Sequence, residues 1–95
     1  MISLKPNVSI FNNFIISKII LSADYILHST KEHLFITSGN DGKHSDSSLH
    51  YQNRAIDIRL PKDPTPFIVK LNNVLGANYT ILREPDHIHI EYDVV

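Results

Sequence analysis

A chain of 95 residues with 42% apolar residues is long enough for one folded domain, residues 1–95, around a modest core. Lysine and arginine number 9 against 10 aspartates and glutamates, a near balance without a dense basic cluster that argues against nucleic acid as the partner. With 0 cysteines, disulfides and thiolate metal sites are excluded, so any metal would have to be held by imidazole and carboxylate.

Residues 1–9 read as a weak strand or an ordered arm, with Pro6 limiting any helix. From Ile10 the apolar positions change to helical spacing: Phe11, Ile15, Ile19, Ile20, Ala23, Ile26 and Leu27 form one stripe. The spacing predicts an amphipathic helix over 10–27, capped by Ser9 or Asn12 and held by packing, because its β-branched residues have modest propensity. His28 and His33 flank the turn that follows, where imidazoles commonly serve the helix C-terminus. Leu34-Phe35-Ile36-Thr37 is a short strand ending at the turn-rich Ser38-Gly39-Asn40-Asp41-Gly42. The polar loop that continues to Ser48 carries no apolar residue, which marks it as functional or disordered.

Ala55 to Leu60 alternates, with Ile56, Ile58 and Leu60 directed to a core and Asp57 on the other face. Pro61, Pro64 and Pro66 mark a turn, and Pro66 suits the first position of a helix whose stripe is Phe67, Ile68, Leu71, Val74 and Leu75, closed by Gly76. The rest reads as a hairpin: Tyr79-Thr80-Ile81-Leu82, a turn at Glu84-Pro85-Asp86, and a strand over 87–94. In that last strand Ile88, Ile90, Tyr92 and Val94 share one face while His87, His89 and Glu91 share the other. The expected fold is α+β: a small antiparallel sheet of three or four strands, two helices packed on one face, and a cleft on the other roofed by residues 39–50. No apolar stretch is long enough to span a bilayer, and no signal-peptide pattern opens the chain.

Two histidine-bearing runs carry the chemistry. Ser48-Leu49-His50-Tyr51-Gln52-Asn53-Arg54-Ala55-Ile56-Asp57 places an imidazole and a carboxylate seven positions apart, and Asp86-His87-Ile88-His89 adds two imidazoles and a carboxylate. On a regular strand His50 and Asp57 would lie roughly 23 Å apart, so a common site requires a bend at Tyr51-Gln52-Asn53. His89 would then arrive from an adjacent strand, giving three nitrogen and oxygen ligands with a position left for water. A partly buried Asp57 needs a cation or donors, and zinc would supply one; a salt bridge to Arg59 or Arg83 is the structural alternative.

In these runs the chain resembles the zinc D-alanyl-D-alanine carboxypeptidases and dipeptidases, whose metal centre also occurs in certain phage endolysins and in the hedgehog signalling domain. The family's first motif, Ser-x-His-x-x-Gly-x-Ala-x-Asp, is met by Ser48, His50, Ala55 and Asp57, with Asn53 in place of the glycine. The second, often Asp-His-x-His, is met by Asp86, His87 and His89, and Ile36-Thr37-Ser38-Gly39 resembles the strand that enters the family's cleft. The resemblance implies one Zn2+ per chain held by His50, Asp57 and His89, with Asp86 as general base and His87 beside the reacting carbonyl. Glu84, three residues before His87, is the rival base. The implied activity is hydrolysis of an amide bond in peptidoglycan peptide stems, of the D-Ala-D-Ala or L-Ala-D-Glu type. The implied setting is phage lysis, with the monomeric enzyme in the host cytoplasm or virion, or otherwise a cytoplasmic peptidase. One departure is larger than Asn53: Asn40-Asp41 follows Thr37-Ser38-Gly39 where the family usually carries a cleft arginine, leaving Lys43, His44 or Arg54 to replace it. That departure supports one rival reading, an inactive zinc-containing binding module; a second rival, a metal-free structural or interaction protein, would require His50, Asp57 and His89 to lie apart in space.

Overall fold

The computed structural model describes residues 2–8, 13–39 and 54–93. Along the chain run β1 (Ile2–Leu4), α1 (Phe14–Ser29), β2 (Leu34–Ser38), β3 (Ala55–Arg59), α2 (Pro64–Leu75), β4 (Tyr79–Arg83) and β5 (His87–Tyr92). The strands form one sheet of order β1-β2-β3-β5-β4. β1 pairs parallel with β2 and every other pairing is antiparallel.

The fold is α+β with two helices, but the expected sheet of three or four antiparallel strands becomes a mixed sheet of five. The added member is β1, a three-residue strand whose exposed–intermediate–exposed pattern gives little alternation to read. It is fixed instead by β2: Lys5 N–H donates to Ile36 C=O at 2.9 Å, and Ser3 Oγ shares a 2.6 Å hydrogen bond with His33 Nε2. His33 therefore ties two strands together and does not cap the helix.

Helix α1 starts four residues later than the stripe suggested, because Asn13 caps it: the side-chain oxygen accepts the Ile16 N–H at 2.8 Å. Ser9 and Asn12, the expected caps, lie outside the described residues. The helix ends in a Schellman-type closure, with Glu32 N–H reaching Leu27 C=O at 2.9 Å and Lys31 N–H reaching His28 C=O at 3.0 Å. Lys31 takes the left-handed conformation this closure needs, φ 59°. Helix α2 has Pro64, rather than Pro66, in its first turn's opening position and ends at Gly76, whose φ of 87° favours glycine.

Alternation along the strands builds the core. Leu34, Ile36, Ile56, Ile58, Ile88 and Ile90 are buried on one sheet face. They join Ile16, Ile19, Ala23, Ile26 and Leu27 of α1 and Phe67, Leu71 and Leu75 of α2 in one apolar cluster. Both helices thus cover one face, and the intervening strand residues are left to the other.

Candidate functional site

That second face carries the histidines. In the β3–β5 ladder Asp57 sits directly opposite His89, and Arg59 opposite His87. The sheet therefore brings together Asp57, His87 and His89, with Asp86 at the lip of the hairpin turn. Expected site residue His50 lies outside the described residues, as do the loop residues Lys43 and His44.

The geometry around His89 decides what this cluster can do. Its Nδ1 lies 2.8 Å from Asp57 Oδ1 and its Nε2 lies 2.7 Å from Glu91 Oε1. A neutral imidazole can donate from one nitrogen only, and ionised carboxylates only accept, so this arrangement is satisfied by the doubly protonated ring. The hydrogen bond to Asp57 raises the His89 pKa above its ordinary 6.5; burial opposes the shift, and the bond to Glu91 adds to it. The His89 ring is thus clamped between two carboxylates, a setting that favours its protonated form, with Asp57 and His89 side chains only 13% and 18% exposed.

His87 forms an outer, wetter pair. Its Nδ1 is 2.6 Å from Asp86 Oδ1, and its Nε2 stands 3.9 Å from Asp57 Oδ2. The hydrogen bond from His87 is the main reason the Asp86 carboxyl is held below its ordinary range. Asp86 is fully in solvent, so this pairing adds little to the fold.

Zinc does not fit these residues. Among the described residues no group of three or more His, Cys, Asp or Glu side chains is placed to hold a metal ion. The physical reason is in the ring of His89: a ligating imidazole must offer a nitrogen lone pair, and both nitrogens here are turned onto carboxylate oxygens within hydrogen-bond distance. The expectation of one Zn2+ held by His50, Asp57 and His89 is therefore corrected, and with it the zinc cleft on this face. The rivals first considered for Asp57 were arginines. Of these Arg59 lies over the Phe35 ring at 4.0 Å, and the carboxylate pairs with His89.

Glu91 is the member that sequence reasoning missed. Its signal was visible, since a residue two positions beyond His89 in a strand shares its face. What the pattern did not show is that the side chain turns back along the strand to cap the second nitrogen.

No family model matches this chain, no curated protein matches it, and no solved structure matches it. The likeness to the zinc D-alanyl-D-alanine carboxypeptidases thus rests on short motifs whose implied donor set is not assembled among the described residues. Assignment to that family, to a hydrolase acting on wall peptides, and to zinc-dependent lysis is corrected on that ground. Among the described residues no helix is long and apolar enough to cross a membrane.

Proposed function

We propose that this chain is a metal-free interaction module, its histidine–carboxylate cluster serving to fix the polar face of the sheet. The observation that carries this reading is the clamp on His89, whose two ring nitrogens are both spent inside the protein. Around it the face mixes charges of both signs with the Arg59–Phe35 stack. Arginine and aromatic side chains are the residue types enriched where proteins meet proteins, and a face of mixed sign suits such a partner better than a polyanion.

Elemental mass spectrometry of the purified chain, with melting curves taken with and without a chelator, tests the metal-free half. The expected result is no stoichiometric metal and an unchanged melting temperature. One zinc per chain, lost in His89→Ala, would sink it. Co-purification from the source cells tests the other half, comparing wild type with Arg59→Glu. A specific protein lost on charge reversal is expected, and an identical set of proteins in both would overturn the reading.

A further inference from the structure

Helix α1 buries Ile16, Ile19, Ala23, Ile26 and Leu27 in the core, and its opposite side carries large apolar residues into solvent. Phe14 is 83% exposed, Leu21 64% and Tyr25 79%. With Lys18 and His28 they recur at steps of four, three, four and three residues, which aligns all five along the helix axis. Apolar side chains in such a line make the seam into which a second helix packs, and a monomer's surface rarely leaves them uncovered. We propose that this face is a homodimer interface, in which the α1 helices of two copies pack antiparallel about a two-fold axis at Leu21. It lies on the other side of the sheet from the histidine cluster, so the inference stands independently of the function proposed for that cluster.

The order of the seam residues selects a second copy. In antiparallel register Leu21 meets the partner's Leu21, Lys18 meets the partner's Tyr25, and Phe14 meets the partner's His28, since each pair is spaced almost evenly about position 21. A lysine stem on a phenol ring and a phenyl beside an imidazole are favourable contacts. Parallel pairing would instead set Lys18 against the partner's Lys18. Lys18 is half-buried, with its ammonium 5.3 Å from the centroid of the Tyr79 ring, so its charge leans out of the seam while its stem stays in it. Two aromatic side chains of about 150–250 Å² each, mostly exposed, together with Leu21 supply roughly half of the ~800 Å² that a stable dimer takes from each partner. The dimer should therefore be a weak one that dissociates on dilution. A membrane surface suits the face less well: the formal charges of α1 are Lys18 and Asp24, without the basic flanks by which surface helices hold anionic lipid.

The test is sedimentation velocity of the full chain over about a thousandfold range of concentration. A concentration-dependent monomer–dimer equilibrium is expected. Leu21→Glu sets two carboxylates against each other at the axis and should raise the dimer dissociation constant about tenfold or more. Leu21 is exposed and glutamate forms helix about as readily as leucine, so the variant should keep the wild-type circular dichroism spectrum. Orientation is read by oxidising single-cysteine variants, which the absence of native cysteine makes unambiguous. Leu21→Cys should cross-link to itself, and Phe14→Cys should cross-link to His28→Cys in a mixture. Phe14→Cys alone should not, since antiparallel packing holds its two copies roughly 21 Å apart. A chain that stays monomeric throughout the range, whether or not it binds phosphatidylglycerol vesicles, would overturn the proposal. So would a dimer untouched by Leu21→Glu, or self-linking of Phe14→Cys that outpaces its linking to His28→Cys.

Discussion

The two faces of the five-stranded sheet are built by different physics. On the covered face, Ile36, Ile56, Ile58, Ile88 and Ile90 are each 0% exposed, and their burial is non-directional. On the opposite face, Asp57, His89 and Glu91 hold one another through two hydrogen bonds whose lengths and protonation must match. The first face would accept many apolar residues of similar volume, whereas the second is tied to particular atoms. The difference teaches where a sequence pattern stops being informative: period two assigns a residue to a face and says nothing of its partner there.

The largest effect should come from breaking the covered face. Ile90→Ala removes a fully buried side chain at the centre of the sheet and leaves a cavity among Ile56, Ile81 and the helices. Urea unfolding should show a loss of about 2–5 kcal/mol with little change in slope. A loss below about 1 kcal/mol would mean that the cluster collapses around the gap.

Asp57→Ala comes next and probes the polar face. It removes the carboxylate that His89 Nδ1 faces at 2.8 Å in a partly buried position, at a cost of about 1–3 kcal/mol. If the cluster were merely a solvated surface, the same change would be near neutral. Comparing Asp57→Ala, His89→Ala and the double variant separates the pair's coupling from each side chain's own contribution.

How far the sequence foretold these two faces follows from the same distinction. Periodicity predicted both helices and the strands around Leu34, Ala55, Tyr79 and His87, because each must bury one face and therefore repeats. It placed Asp57, His87 and His89 off the core face for the same reason. It read residues 1–9 as a weak strand or an ordered arm but did not place β1 in the sheet, since three residues paired in parallel across an intervening helix leave no local signature of their partner. The caps moved for a local reason: several Asn and Ser residues near 9–13 could each start a helix, and backbone geometry selected Asn13. At the site, the motifs Ser-x-His and Asp-His-x-His gave spacing but no orientation. Whether a histidine offers a lone pair or donates from both nitrogens depends on rotamers set by neighbours such as Glu91.

The smallest effect is also the most diagnostic of the clamp, because its sign can be worked out. The His89 pKa is raised in the folded chain above the ordinary 6.5, chiefly by Asp57 and further by Glu91. The stabilisation linked to this proton is therefore fully present below the unfolded value of 6.5 and is lost as pH rises through the folded value. Unfolding free energy measured from acid to mildly alkaline pH should fall across that window and then level off. Glu91→Gln keeps the side chain's shape but replaces one ionised acceptor, so it should lower stability by about 0.5–1.5 kcal/mol near neutrality. The variant should also begin its decline at lower pH than wild type, as its histidine loses one source of the upward shift. Asp57→Ala should move the decline further still, since Asp57 is the larger cause. Equal pH profiles in all three proteins would mean that His89 is neutral in the folded chain. One ring nitrogen would then be an acceptor facing a carboxylate, and the clamp as drawn would not hold.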